Sequence, residues 1–82
     1  MNALADIAVT AAHVNGEIVV HMESGAEIRF PVADNPRLAR GTHQQLNHIE
    51  LSPFGLHWPK LNEDLSYRGL LEGNHGQFQK KP

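Results

Sequence analysis

The sequence of 82 residues has no cysteine, which excludes disulfides, thiolate nucleophiles and thiolate metal sites together. That absence is what a reducing cytosol permits. Charge of one sign is not in excess either: seven Lys and Arg stand against nine Asp and Glu, for a net charge of −2. The chain therefore exerts no global attraction on phosphate backbones, and nucleic-acid binding would need a local patch. No apolar run approaches the roughly 20 residues a membrane helix requires, and residues 1–4 lack the basic start and apolar stretch of an export signal. A soluble, cytoplasmic protein without membrane association is expected. Aromatic residues are scarce, with one Trp, one Tyr and three Phe. A chain this short buries only about 60–65% of the surface its unfolded form exposes, so the core is thin. A deep pocket for a large cofactor would compete for the same apolar side chains, and no cofactor is expected.

What is present is punctuated alternation. Ile7, Val9 and Ala11 alternate with less apolar positions, Asn15-Gly16 intervenes, and Ile18, Val20 and Met22 alternate again. Asn-Gly suits the two positive-φ positions of a type I′ turn, so the pattern predicts a hairpin in which Val14 faces Glu17, His13 faces Ile18, Ala11 faces Val20 and Val9 faces Met22. Ala26, Ile28, Phe30 and Val32 continue the alternation. A two-residue loop at Ser24-Gly25 would reverse the buried and exposed sets. A three-residue loop at Glu23–Gly25, with Gly25 left-handed, aligns Val20 with Ile28 and Ile18 with Phe30, and is the reading adopted.

The middle of the chain predicts two brief helical turns. In "DNPRLARG", Asp34 is the expected N-cap, Pro36 lies in the first turn, and Leu38 points inward. In "THQQL", Thr42 and Gln45 have capping-box spacing. A second hairpin follows, with Ser52–Gly55 as its loop, Leu51 facing Leu56, Glu50 facing His57 and Ile49 facing Trp58. Pro59 ends it. Ser66 is then the expected cap of a helix from Tyr67 that stops at Gly73, with Leu65 and Leu70 as its hydrophobic staple. The fold class predicted is α+β: a three-stranded antiparallel meander plus a second hairpin, covered by short helices that include a C-terminal one. Residues 1–73 form the single domain and 74–82, ending in Lys80 and Lys81, a flexible tail.

Few residues invite chemistry. Trp58 lies on the inward parity of its strand, and the expected role of "GLHWPKLNEDLSYRGLLEG" is closure of the core, with Glu63 and Asp64 in the bend, solvated or bonding backbone amides. Adjacent acids point apart, whereas acid–base catalysis needs groups that converge. Trp58, Tyr67 and Asp64 are the residues nominated for an interaction surface. Six histidines raise the question of a metal. His13 and His21 have opposite parity, and His43 and His48 lack helical i, i+4 spacing. Only His48, Glu50 and His57 converge in the predicted register, on an exposed face with no second shell to orient them, so no metal site is expected. Ser24, Ser52 and Ser66 have turn or capping roles, and no catalytic residue is assigned.

The Trp58-Pro59 and Asp64-Leu65-Ser66 elements, with "IELSPFG" and "ESGAEIRFPV" before them and Gly69-Leu70-Leu71 after, make the chain resemble a bacterial family, domain of unknown function number twenty-four forty-two. Asn62 stands where an acid is common in that family. The resemblance covers roughly Ile7 to Gly73. It implies a small cytosolic α+β domain without assigned catalysis, some relatives being joined to a helix-turn-helix and some encoded in toxin–antitoxin-like pairs. The function expected is a non-enzymatic interaction or regulatory module whose partner is a protein or a second copy of itself. Nucleic-acid binding through Arg29, Arg37, Arg40 and the terminal lysines is the less favoured alternative, and a metal-dependent enzyme the least.

Overall fold

Asn15 and Gly16 both adopt positive φ, 49° and 81°, and close the first hairpin as their sequence requires. A computed structural model describes residues 6–77. Strands β1 (Ala8–Val14), β2 (Glu17–Met22) and β3 (Glu27–Pro31) form an antiparallel meander. Val14 pairs with Glu17, His13 with Ile18 and Ala11 with Val20. The next loop has the three-residue form: Gly25 has φ 99°, Met22 N donates to Ala26 O at 2.8 Å, and Ile18 and Val20 oppose Phe30 and Ile28.

One pairing differs from the simple alternation. A bulge between Ala8 and Thr10 places Ala8, not Val9, opposite Met22. An extra residue on one strand reverses the parity beyond it, so Ala8 is buried and Val9 is 59% exposed. The strand entrance is tied to the β2–β3 loop: Glu23 N donates to Ile7 O at 2.7 Å, and the Asp6 carboxylate accepts from the Ser24 backbone N–H and hydroxyl. These bonds hold the shifted register.

After β3 the chain makes two short 3₁₀ turns, Val32–Asp34 and Leu38–Arg40. The cap expected at Asp34 is supplied by Asn35 instead. Its Oδ1 accepts from Arg37 N at 2.9 Å and Leu38 N at 3.0 Å, while Asp34 ends the preceding turn. The side chain one residue later is the one that reaches forward over Pro36, and it is fully buried. Leu38 points inward as expected. Helix α1 (His43–Leu46) carries the Thr42–Gln45 capping box, with both reciprocal bonds present.

Strands β4 (Glu50–Leu51) and β5 (Gly55–Trp58) form the second hairpin, with Glu50 opposite His57 and Leu51 opposite Leu56. The segment read as a bend is a further strand, β6 (Glu63–Ser66), which pairs Leu56 with Leu65, His57 with Asp64 and Trp58 with Glu63. Pro59 ends β5, and Asn62, at φ 54°, completes the reversal that brings β6 alongside. Helix α2 (Tyr67–Leu71) begins at Ser66, whose Oγ accepts from Gly69 N at 2.9 Å. The architecture is thus α+β: two antiparallel three-stranded sheets with two short helices, the second in the C-terminal part of the fold.

The core joins both sheets and their connection. Ile18, Val20, Met22 and Phe30 of the first sheet form one cluster with Leu56, Trp58 and Leu65 of the second, Leu38 and Leu46 of the connection, and Tyr67 and Leu70 of α2. The stretch expected as a tail from residue 74 begins as packed chain: the His75 ring stacks on Phe30 at 4.8 Å, and His75 O accepts from Asn35 Nδ2. Residues 1–5 and 78–82, including Lys80 and Lys81, lie outside the described residues.

Candidate functional site

Strand alternation and register place Glu50, His57 and Asp64 in one cross-strand row on the outer face of the second sheet. His57 Nδ1 and Asp64 Oδ1 are 2.6 Å apart. A carboxylate accepts, so Nδ1–H of the imidazole donates. At the end of the row the β4–β5 turn carries Ser52, Pro53 and Phe54. Its shape is locked by side-chain bonds: Ser52 Oγ accepts from Phe54 N and Gly55 N, both at 3.1 Å. From behind, Tyr67 OH donates to Ser52 O at 2.7 Å and Tyr67 N donates to Phe54 O at 3.0 Å. The result is a phenyl ring 82% exposed on a braced turn, with Leu51 half out of the core beside it. A shallow notch of about 170 Å³ runs from Phe54 to His57, Asp64 and Ser66.

Of the three residues nominated for interaction, only Asp64 presents its side chain to solvent. Trp58 is completely buried, with Nε1 donating to Leu46 O at 3.0 Å, and Tyr67 is 4% exposed. Both aromatic rings back the outer surface rather than form it. Glu63 and Asp64 diverge as adjacent strand residues must. Glu63 turns inward, where Oε1 accepts from the Asp64 amide at 3.0 Å and Oε2 from Asn35 Nδ2 at 2.9 Å. A bond to a backbone amide was expected of this pair; burial of Glu63 was not, because it follows from the strand pairing.

His48 does not join Glu50 and His57. Strand β4 has only two residues, so His48 still belongs to the turn after α1, its N–H directed at Gln45 O. It lines a separate open depression of about 740 Å³ with His43, Gln44, Gln45, Asn47 and Lys60. Among the described residues no group of three or more His, Asp or Glu is placed to hold a metal ion.

The structure makes one histidine pair that local sequence does not announce. His13 on β1 and His43 on α1 approach to 2.8 Å between their Nδ1 atoms, with ring centroids 5.0 Å apart. Asn47 Oδ1 accepts from His13 N at 2.9 Å and fixes the same junction. Desolvation, and then the neighbouring charge of His43, hold the His13 imidazole below its ordinary range. His21 faces elsewhere, within 3.0 Å of Glu27 Oε1. Phe54 was also missed, since a loop aromatic carries no periodic signal; its place after Ser-Pro was the only hint. Arg29 is engaged by Glu17 at 3.1 Å and Glu27 at 2.8 Å, and Arg37 by Asn62 O at 2.7 Å.

No helix among the described residues is long and apolar enough to cross a membrane. Residues 6–76 match the family described as "Protein of unknown function (DUF2442)". Among solved structures the chain is similar to a protein of unknown function from Rhodospirillum rubrum, with 30% identity and a TM-score of 0.78 over 89% of this chain and 93% of that one. It is also similar to an uncharacterized protein from Chromobacterium violaceum, with 32% identity and a TM-score of 0.74 over 85% of this chain and 68% of that one. No curated protein matches.

Proposed function

We propose, from the premise that this chain belongs to the DUF2442 family of proteins of unknown function, that it is a non-enzymatic interaction or regulatory module whose protein partner docks on the β4–β5 turn and the adjoining outer face of the second sheet. The observation that carries the reading is Phe54, 82% exposed on a turn already fixed by Ser52 and Tyr67. An aromatic side chain on a rigid loop loses little conformational freedom on binding, and such residues dominate interface energies. Leu51 enlarges the apolar centre, while Glu50, His57 and Asp64 supply the polar rim that interfaces carry.

The serine hydroxyls support the non-enzymatic part of the reading. Ser52 and Ser66 accept backbone N–H bonds in a turn and a cap, and Ser24 is bonded to Asp6. The partnership we put forward is with another small cytoplasmic protein in a toxin–antitoxin-like pair, or with a second copy of this chain. Capture from the native host with the tagged parent, Phe54→Ala and Asp64→Arg, together with light scattering on the purified chain, tests it. The parent is expected to retain one partner or to dimerise, and Phe54→Ala to weaken that association by about thirtyfold, the effect of a typical hot spot. A parent that stays monomeric at high concentration and retains nothing, or variants that bind like the parent, would overturn the reading. Capture of duplex nucleic acid with steep salt dependence would replace it with the runner-up.

A further inference from the structure

We infer that the outer edge of β3 is a self-association surface, on which a second copy of this chain pairs its own β3 antiparallel about a twofold axis at Ile28. Each sheet has two edges, and three of the four are capped or short. On β1 the His13 N–H is taken by Asn47 Oδ1 at 2.9 Å. On β6 the Asp64 N–H is taken by Glu63 Oε1 at 3.0 Å. Strand β4 has two residues and lies against β1. Strand β3 has five residues and pairs only with β2. Its ladder opens where Met22 N donates to Ala26 O at 2.8 Å and closes where Val32 N donates to Gly16 O at 3.0 Å. Alternation therefore aims the backbone groups of Ile28 and Phe30 at β2, and those of Glu27, Arg29 and Pro31 outward. Among the described residues no backbone hydrogen bond from outside the meander reaches those outward groups. Such an edge is a template for another strand.

Charge complementarity selects both the occupant and the register. With the axis at Ile28, Glu27 lies opposite the partner's Arg29, and Arg29 opposite the partner's Glu27. Each pair exchanges two backbone bonds, four in all, and sets opposite charges side by side on the exposed face. On the other face Ile28 meets the partner's Ile28, extending the apolar rim that it forms on the core. An axis at Arg29 would oppose two guanidinium groups and pair Glu27 with Pro31, which has no N–H. An axis at Glu27 would oppose two carboxylates and pair Arg29 with Gly25, whose N–H is already given to Met22 O at 2.9 Å. Within its own chain Arg29 uses Nε for Glu27 and Nη1 for Glu17, so Nη2 remains for the partner's Glu27. Charged rows ordinarily guard an edge against pairing; this one is self-complementary in one register.

The test is sedimentation of the full chain from about 10 μM to about 1 mM, the range of weak pairing through a small interface. The parent is expected to dimerise as concentration rises. Arg29→Glu sets two carboxylates opposite each other and should weaken the dimer by about tenfold or more, and the exchanged pair Glu27→Arg with Arg29→Glu should restore it. Because the chain has no cysteine, Ile28→Cys gives a clean second readout. Facing Cα atoms at such a position lie about 4.5 Å apart, within disulfide reach, so oxidation should link two copies through Ile28→Cys and not through Val9→Cys on β1. Circular dichroism checks that each variant folds. Should Ile28→Cys not fold, exchange of the Glu27 and Arg29 amides in the parent, slowing as concentration rises, takes its place. A parent that stays monomeric throughout, or a dimer that Arg29→Glu leaves intact, would overturn the inference. Phe54→Ala should leave this dimer unchanged: a dimer lost in Phe54→Ala and kept in Arg29→Glu belongs to the β4–β5 turn instead, whereas a monomeric parent that still captures a partner through Phe54 fails this inference alone.

Discussion

The Trp58 indole fills the space between the two sheets while its single polar atom reaches the end of α1 at Leu46 O. Packing and polarity are therefore satisfied by one side chain. Trp58→Ala is expected to cost about 3–5 kcal/mol through the cavity it leaves. Trp58→Phe keeps an apolar ring but leaves the Leu46 carbonyl without its indole donor, for a loss of about 1–3 kcal/mol. Urea unfolding of both variants checks the order. Tyr67→Phe isolates a smaller effect. Without the bond to Ser52 O, stability should fall by about 1 kcal/mol, and partner binding should weaken although Phe54 itself is intact. An unchanged affinity in that variant would mean that the turn needs no brace. At this scale the parity of Trp58 was legible in its spacing from Leu56. Its hydrogen-bond partner, twelve residues away, was not.

Elements were readable where a local signal and the tertiary demand coincided. Asn15-Gly16, the Thr42 capping box and the Ser66 cap each satisfy backbone groups within a few residues, so their chemistry is written in adjacent letters. Ser66→Ala should cost about 1 kcal/mol in a thermal melt, because Gly69 N loses its acceptor. Strand β6 had no such announcement: Glu-Asp-Leu-Ser has weak strand preference, and only pairing with β5 makes it extended. Gly55 reports how close that pairing is. A Cβ there would sit 2.2 Å from Leu65 O and 2.8 Å from Ser66 Cα, both backbone atoms that cannot swing aside. Gly55→Ala is expected to separate β5 from β6, seen as loss of amide dispersion and a sharply lowered unfolding midpoint. The bulge at Val9 escaped for a related reason: Val9 continues an apolar alternation, and the Asp6–Ser24 tie that breaks it joins residues 18 apart.

Two of the polar junctions among the described residues join segments that are especially distant in sequence. Asn35 bonds Arg37 and Leu38 beside it, Glu63 of β6 and His75 near the end of the described chain. The other junction, His13 with His43, makes folding sensitive to acid. Because His13 is held below its ordinary value, the unfolded chain binds a proton more readily than the folded one. Stability should therefore decline as pH falls through about 6.5, then level off once the folded-state imidazole is protonated too. His13→Gln is expected to flatten that part of the curve. Urea midpoints measured from neutral to mildly acidic pH decide it, and a variant as acid-sensitive as the parent would place the effect elsewhere.

By itself the sequence determined the α+β class, the turn types, two of the helix caps and the inward places of Ile18, Val20, Met22 and Phe30 on β2 and β3, since each follows from contacts between near neighbours. It also carried a resemblance to the family whose model matches residues 6–76. Tertiary structure alone decided that Glu63 goes inside, that the acids beyond Pro59 form a strand, that Phe54 stands out on a braced turn and that His13 meets His43. These depend on which surfaces come to face one another once the chain has closed, and residues 30 positions apart leave no periodic trace of that meeting.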